Sequence, residues 1–321
     1  MIKPFVLALS LFVANAPAAA GSPTPPSLVV EPDQGLAALT DLVAGAAASI
    51  DLTMYALEDT DFEQALVDAA ARGVVVRVIL DQNNESSANQ SAYDTLGANG
   101  VQVHWANPTF ACTHQKTLTI DHAVSAVMTL NLQPQYYATS RDFALIDADP
   151  ADVAAIEATF ANDFTDGSTR PGNGDDLAWS PTNASATLLG LIQGAHASLR
   201  VENEEMGDAA IVSALEAAAR RGVDVEVVMT RITRYARQVA ALGHAGVKVA
   251  LYAASAPLYI HAKVILADYG TAAARAFIGS ENFSVPSLTE NRELGLVTTD
   301  SGVLATLESI LDGDYAGGTS Q

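Results

Sequence analysis

Short apolar runs of strand length alternate with alanine-rich, amphipathic stretches along most of the chain. The segments 49–55 and 74–80 are rich in residues that favour β-structure. Between them, Asp59 or Asp61 can cap a helix that ends at Gly73. Because the strands are hydrophobic and separated by helices, the pattern predicts an α/β fold in which helices cover a parallel or mixed sheet.

This pattern occurs twice. The segment 44–53 aligns with 193–202, and 69–78 aligns with 218–227, both at an offset of 149 residues. Each half also begins with a short apolar strand followed by a proline, and each ends with an acidic helix. Matches that share one register indicate an internal duplication.

The two copies are joined by the stretch 166–176, which is rich in Gly, Pro and Asp, as is typical of a linker. We therefore predict a first repeat over 28–166 and a second repeat over 177–316. Each repeat is expected to form a mixed sheet flanked by helices.

The first residues have the pattern of an export signal. Lys3 supplies a positive charge, an apolar run follows, and an alanine-rich exit ends it. This run is too short for a transmembrane helix, which needs about 20 residues. We expect a signal peptide over 1–20, with cleavage after Ala16 or Ala20 left open, and a secreted or periplasmic mature protein.

Composition restricts the choice of partners. The 321 residues include 37 acidic and 16 basic side chains, for a net charge of −21. Such a chain has no general attraction for nucleic acid, so phosphate chemistry must rely on local positive charge. A single cysteine excludes an intrachain disulfide, and the histidines outside the motifs described next lack ligand spacing. We expect neither a metal nor another cofactor.

Two copies of the pattern H-x-K-x4-D lie 147 residues apart, at equivalent positions of the repeat. One such match is a weak signal, whereas two in repeat register are a strong one. The chain has only four lysines, and two of them lie in these motifs. The residues that define the two copies are His114, Lys116, Asp121, His261, Lys263 and Asp268.

Both motifs are predicted to lie on strands, where residues two apart point to the same face. The histidine and lysine of each motif should therefore act together. Asp121 and Asp268 are at odd spacing from the histidines and should face away. Although they belong to the motif, we expect them to be structural more than chemical.

Further polar residues follow each motif in register. Each half adds a hydroxyl and an amide suited to binding phosphate oxygens: Thr129, Asn131, Ser280 and Asn282. Each half then has an acidic residue, Asp142 or Glu293, at an offset of 151 residues. Such a carboxylate can accept a hydrogen bond from a histidine ring and so orient it.

Over residues 28–316, the paired motifs and the Gly-Ser-Glu-Asn segment at 279–282 resemble the phospholipase D superfamily. The resemblance implies two α/β halves packed in a pseudo-two-fold manner around one active site. One histidine would attack phosphorus and form a phosphohistidine, and the other would protonate the leaving oxygen. By family habit His114 is the nucleophile and His261 the acid, although the sequence alone allows the reverse.

The resemblance also implies roles for the remaining residues. Lysines and asparagines would hold the phosphate oxygens without a metal, and Asp142 and Glu293 would be the partners of the histidines. The first half departs from the pattern, since Met128 replaces the glycine of the second half.

Two charged clusters have open interpretations. Arg231, Arg234 and Arg237 recur every three residues and would share one helix face, which either binds a phosphate or is simply solvated. Glu202 and Glu204 either meet a cationic headgroup or pair with these arginines.

The leading hypothesis is an exported phosphodiesterase that hydrolyses phospholipids to phosphatidate and headgroup, with transphosphatidylation as a side reaction. It would contact the membrane surface transiently and act as a monomer without an obligate protein partner. The alternative is a non-specific exported endonuclease, which the charge disfavours. A cardiolipin-forming synthase is disfavoured because no membrane-spanning segment is apparent, and a non-catalytic binding module because both motifs are complete.

Overall fold

The computed structural model describes residues 26–321, so the predicted signal peptide over 1–20 lies outside the described residues. The elements of the first half are β1 (Ser27–Glu31), α1 (Ala37–Gly45), β2 (Ser49–Met54), α2 (Thr60–Ala71), β3 (Val75–Leu80), α3 (Ser86–Ala98), β4 (Gln102–Trp105), β5 (Thr117–Ile120), β6 (Val124–Met128), α4 (Pro134–Tyr137), β7 (Ser140–Asp147) and α5 (Pro150–Asp163).

The second half repeats this order with two additional short strands, β12 and β16. Its elements are β8 (Leu177–Ser180), α6 (Ala184–Gly194), β9 (Ser198–Asn203), α7 (Ala209–Arg220), β10 (Asp224–Thr230), a 3₁₀ turn (Thr233–Tyr235), α8 (Ala236–His244), β11 (Lys248–Tyr252), β12 (Tyr259–Ile260), β13 (Lys263–Ala267), β14 (Arg275–Gly279), α9 (Val285–Thr289), β15 (Glu293–Thr298), α10 (Ser301–Gly317) and β16 (Thr319–Ser320).

Helix α2 shows how the local sequence sets the bounds of an element. The Asp59 side chain accepts hydrogen bonds from the backbone N–H groups of Asp61 and Phe62, both at 3.0 Å. Asp59 is therefore the cap, and Asp61 lies in the first turn. After the helix, Gly73 takes a φ of +95°, which favours glycine and turns the chain into β3.

The strands of each half form one mixed sheet. The order in the first sheet is β1-β7-β6-β5-β2-β3-β4, and the second sheet repeats it as β8-β15-β14-β13-β9-β10-β11 with β16 added at its edge. β2, β3 and β4 are parallel because helices return the chain to the same edge, and the other neighbours along this order are antiparallel. The predicted α/β class, with a mixed sheet flanked by helices in each half, is confirmed.

The two sheets pack together through one shared apolar cluster. It joins Phe143 of the first half with Trp179 and Ile278 of the second, and Leu307 of α10 packs against them. Equivalent elements of the two halves meet here, so the halves are related by a pseudo-two-fold arrangement. Burial of these large side chains is the main force that holds the halves together.

Each half also adds backbone to the other half's sheet. β12 of the second half pairs in parallel with the first two residues of β7. In the same way, Thr113 of the first half forms a parallel bridge with Arg292. Both crossing segments immediately precede a motif histidine. The docking of the halves therefore fixes the positions of His114 and His261.

Two buried ion pairs cross the same interface. The Arg141 Nε atom lies 2.6 Å from Asp314 of α10, and the Arg292 Nε atom lies 2.9 Å from Asp163 of α5. Burial raises the pKa of Asp163 and lowers that of Arg292. Desolvation thus opposes the attraction in this pair, and such buried pairs add little net stability although the loss of one partner is costly.

We expect Arg292→Met to lower the free energy of unfolding by about 3–5 kcal/mol, because it leaves the Asp163 carboxyl buried without its partner. Urea denaturation followed by circular dichroism measures this loss. Arg275→Met is the matched control, since Arg275 is exposed and, within residues 26–321, its side chain donates only to the Ala273 carbonyl. Adding Asp163→Leu to Arg292→Met should recover most of the loss. Equal stability of the two single variants would contradict this account of the pair.

Candidate active site

The two motif histidines face one cavity, and each is held by a carboxylate of the opposite half. His114 Nδ1 lies 2.8 Å from Glu293 Oε2, and His261 Nδ1 lies 2.8 Å from Asp142 Oδ1. A carboxylate at Nδ1 fixes the proton on that nitrogen and leaves Nε2 for chemistry. Burial acts to raise the pKa of Glu293, but the facing His114 lowers it below its usual value.

His114 itself is nearly enclosed. The Tyr55 ring packs edge-on against it, with ring centres 4.6 Å apart. Burial, reinforced by the charge of Lys116, lowers the pKa of His114. Its ring is therefore neutral near pH 7, which is the state that a nucleophilic imidazole requires.

The motif lysines lie behind the histidines and are fully buried. The Lys116 Nζ atom donates to the His114 carbonyl at 2.6 Å, and Lys263 donates to the His261 carbonyl. Burial and the charge of Lys263 lower the pKa of Lys116 to about 7. An anion bound in front of these lysines would restore full charge to Lys116, so the site gains cationic character when phosphate enters.

Asn131 and Asn282 line the same cavity. The Oδ1 atom of each is buried and has no hydrogen-bond partner within residues 26–321. A rotation of the side-chain amide exchanges its oxygen and nitrogen, so each side chain can present its N–H groups to a ligand. Two unpaired amides beside two histidines are suited to holding phosphate oxygens.

The hydroxyls of Thr129 and Ser280 do not face the cavity, which corrects their prediction as phosphate ligands. The Thr129 hydroxyl donates to Asp142 Oδ1 at 2.5 Å and accepts from the Phe143 N–H. The Ser280 hydroxyl accepts from the Leu294 N–H at 3.2 Å. β6 and β14 end just before these residues, so the alternation of a strand no longer applies. Thr129 supports the acid that orients His261.

Asp121 and Asp268 lie beyond the far ends of β5 and β13, roughly 20 Å along the strand from the histidines. The Asp121 carboxylate accepts backbone N–H bonds from residues 47–49, and the Asp268 carboxylate accepts them from residues 196–198. Both have a φ of 54°. They are grouped with the catalytic motif by sequence, but their contacts give them the structural role that their spacing predicted.

The cavity has a volume of about 690 Å³ and is lined by residues of both halves. Its wall includes residues that the motifs did not identify: Glu31, Tyr55, Gln133, Tyr136, Tyr137, Thr139, Glu204, Glu205 and Tyr259. Burial, with the nearby charges of Asp142 and Asp33, raises the pKa of Glu31 to about 7. Apart from the motif lysines behind it, this wall is acidic and aromatic.

The three arginines do not share a helix face on this cavity. Arg231 precedes the 3₁₀ turn, Arg234 lies within it and Arg237 follows in α8. Helical spacing therefore does not apply across the segment. Only Arg234 reaches the catalytic cavity's wall, where it binds Glu205 at 2.6 Å. Over residues 26–321, no group of three or more His, Cys, Asp or Glu side chains is placed to hold a metal ion.

A family profile described as "Cardiolipin synthase, PLD-like domain" matches residues 39–164 and again 188–315. The chain belongs to the phospholipase D superfamily. Among curated proteins of the superfamily, it is similar to cardiolipin synthase A of Pseudomonas fluorescens, with 26% identity over 333 residues. That match covers 90% of this chain and 68% of the relative.

Other members give the same picture. Cardiolipin synthase A of Pseudomonas aeruginosa is 28% identical over 294 residues, covering 79% of this chain and 58% of the relative. The chain thus spans 58–68% of the length of these two relatives. The crystal structure of phosphatidylserine synthase from Haemophilus influenzae superimposes with a TM-score of 0.69 at 12% identity, over 90% of this chain and 85% of that one. At this identity the structural likeness concerns the fold alone.

Asp121→Asn and Asp268→Asn should destabilise the protein without impairing the chemistry. Although burial acts to raise them, backbone hydrogen bonds lower the pKa values of both carboxyls. The stability they contribute is therefore present above their unfolded pKa of about 3.9 and is lost as pH falls through the lowered folded value. Melting temperatures at pH 7 should fall by about 2–5 °C, and the difference should shrink below pH 4.

Asp41→Asn, which changes an exposed aspartate of the same half, is the control for a lost surface charge. It should melt like the wild type at both pH values. If Asp121→Asn melted like the control, the carboxylate would not be anchoring residues 47–49.

Proposed function

We propose that this member of the superfamily cleaves the phosphodiester bond of phospholipids through a phosphohistidine intermediate. It would transfer the phosphatidyl group to water, and to alcohols as a side reaction. The observation that carries the proposal is the pair of histidines that face one cavity from opposite halves, each with Nδ1 on a carboxylate of the other half. Such a pair can supply a nucleophile and an acid to the same phosphorus.

In the first step, Nε2 of the neutral His114 attacks phosphorus while Glu293 retains the proton on Nδ1. The bond to the headgroup oxygen breaks, and His261 gives its Nε2 proton to that oxygen. In the second step, a water loses a proton to His261 and attacks the phosphohistidine. Phosphatidate leaves, and both histidines return to their starting states.

The buried lysines and the asparagine amides provide the electrostatic part of the mechanism. The lysines lie behind the histidines and the amides line the cavity, so both act on the place where the non-bridging oxygens must lie if both histidines are to reach phosphorus. Their charge and dipoles act in a site largely shielded from water, where they stabilise the transition state most effectively. Because Lys116 has a pKa near 7, an incoming phosphodiester also draws a proton onto it.

The charge of the cavity wall favours a lipid over a nucleic acid. Glu31, Asp142, Glu204 and Glu205 all line it, and the whole chain has a net charge of −21. A polyanion normally requires a continuous basic track, whereas a phospholipid presents a single phosphodiester. The cavity volume also lies within the range usual for small-molecule sites.

The acceptor is the open part of the proposal, and the relatives favour a second candidate. Proteins named cardiolipin synthase A are similar to most of this chain, which revises the low weight that the sequence gave to a synthase. A synthase would use the same intermediate but pass the phosphatidyl group to a lipid hydroxyl. None of the helices described between residues 26 and 321 is long and apolar enough to cross a bilayer.

We also propose that the protein acts outside the cytoplasm as a monomer. Support for export comes from the signal-like residues 1–20. Support for a monomer comes from the duplication, since one chain supplies both histidines and both carboxylates.

We expect purified protein to release headgroup from mixed phospholipid vesicles in the presence of EDTA. His114→Ala and His261→Ala should each lower kcat by at least about 10³-fold, because each removes a group used in both steps. His244→Ala, which changes an exposed histidine away from the cavity, should retain activity.

Product analysis separates the candidates. Phosphatidate as the main product supports hydrolysis, and cardiolipin formed from phosphatidylglycerol supports the synthase. Nicking of plasmid DNA without lipid turnover would replace both with the nuclease. Loss of wild-type activity in EDTA alone would overturn the metal-independent mechanism.

The assignment of the nucleophile has its own test. With a nitrophenyl phosphodiester labelled at phosphorus, whose leaving group needs no proton, His261→Ala should accumulate acid-labile label on the protein, because the base that activates water is missing. Peptide mapping after a rapid quench should place the label on His114. No label should form on His114→Ala. Label found on His261 in the wild type would reverse the two roles.

A further inference from the structure

The two halves of the site differ at one equivalent position. At the repeat offset of 149 residues, Tyr55 of the first half corresponds to Glu204 of the second. The Lys116 Nζ atom lies 4.9 Å from the centre of the Tyr55 ring, whereas the Lys263 Nζ atom lies 3.3 Å from Glu204 Oε2. A neutral ring thus covers one motif lysine and a carboxylate covers the other.

Glu204 also reaches the catalytic nitrogen of the neighbouring histidine. Its Oε2 atom lies 3.6 Å from His261 Nε2, so this one oxygen lies between the lysine and the histidine. The other oxygen, Oε1, accepts a hydrogen bond from the Tyr259 hydroxyl at 2.9 Å. Tyr259 belongs to β12, the strand that crosses between the halves. The carboxylate is therefore held in place and does not hang freely in the cavity.

The ionisation of Glu204 follows from these neighbours. Burial acts to raise the pKa of Glu204. Its neighbours outweigh this effect and hold that pKa well below its usual range: Lys263, His261 and the Tyr259 hydroxyl. The adjacent Glu205 binds Arg234 instead. One fixed negative charge thus stands on the second-half side of the site, where a non-bridging phosphate oxygen would otherwise find Lys263 and His261.

We propose that Glu204 is a positioning residue of the phosphodiesterase, acting through His261 and Lys263. Its carboxylate occupies the anion position between them and faces His261 Nε2, the nitrogen that must carry the proton for the leaving oxygen. His261 thus enters the reaction as the acid, and His114, beside the neutral Tyr55, enters as the nucleophile. This inference rests on the function proposed above.

The proton balance of the two steps is consistent with this role. In the first step, the proton on His261 Nε2 moves to the leaving oxygen, and the phosphodiester takes over contact with Lys263. In the second step, water returns a proton to Nε2 and its oxygen bonds to phosphorus. Once phosphatidate leaves, the carboxylate again accepts from Lys263 and faces His261.

Two measurable consequences follow. First, loss of the charge should matter most when the leaving alcohol needs a proton, as an alkyl headgroup does, and little when a nitrophenolate leaves unaided. Second, without the competing carboxylate the empty site should bind a small anion more tightly. Removal of a merely structural contact would slow both substrates equally and would not improve anion binding.

The experiment compares wild type with Glu204→Gln and Glu204→Asp. The matched control is Glu226→Gln, because Glu226 also lies 3.2 Å from a lysine, Lys248, but does not line the cavity. The substrates are phospholipid vesicles and bis(p-nitrophenyl) phosphate. Binding of inorganic phosphate is measured by calorimetry, and melting curves establish that each variant is folded.

Glu204→Gln should lower kcat on vesicles by about 100-fold and on the nitrophenyl ester by less than about fivefold. Phosphate should bind it about tenfold more tightly. Glu204→Asp should recover part of the vesicle activity, and Glu226→Gln should match the wild type in every assay.

Equal losses on the two substrates, or unchanged phosphate affinity, would overturn the role of Glu204. If Glu204→Gln does not fold, the same comparison with Glu204→Asp decides, since the shorter carboxylate should show a smaller loss that still falls more on vesicles than on the nitrophenyl ester. Wild-type protein inactive on both phosphodiesters would refute the proposed function instead, and the phosphate titration would still report on Glu204.

Discussion

The catalytic centre depends on the crossing of backbone between the halves. Each half orients the histidine ring of the other. The segment before His114 lies along Arg292, the segment before His261 pairs with the start of β7, and the carboxylates that orient the rings follow from the same pairing. Backbone hydrogen bonds are short and directional, so this register sets the ring positions more exactly than apolar packing alone. The apolar cluster brings the sheets together, and the crossing strands determine how they align.

Around this frame, charge is distributed unevenly. The chain is strongly acidic, yet the two motif lysines are buried completely, where a positive charge is expensive without a counter-charge. The surroundings of the two lysines reduce the free-energy cost of the buried charge in different ways. Lys116 has a lowered pKa beside an aromatic ring, whereas Lys263 lies against a carboxylate. A symmetric fold therefore carries an asymmetric site, which suits a reaction that needs one base and one acid at the same moment.

Most of the fold could be predicted from the sequence, because strand periodicity, helix capping and glycine turns are set by residues close together in the chain. The strands that alternate with helices, the helix cap at Asp59 and the turn at Gly73 all follow from local sequence. The spacing of Asp121 from His114 likewise predicted that it would face away. The repeat register also singled out the histidines and the acids that the structure brings together at one cavity.

Two predictions failed at places where an element ends. Thr129 lies just beyond β6, so its hydroxyl turned to Asp142, and the arginine series crossed from a turn into a helix. The position of Glu204 against Lys263 required the approach of β9 and β13, which no local pattern specifies. The place of Glu31 in the cavity wall could not be predicted either, because it depends on the pairing of Glu31 with Asp142 between β1 and β7.

The ion pair between Arg141 and Asp314 links the active site to the end of the fold. Arg141 is the neighbour of Asp142, which orients His261, while Asp314 belongs to α10, the last helix of the second half. During synthesis, a chain that has already made both histidines still lacks the group that anchors this part of β7. Until Asp314 is made, the neighbour of the acid that orients His261 lacks this partner, so the folding of α10 and the assembly of the active site are coupled.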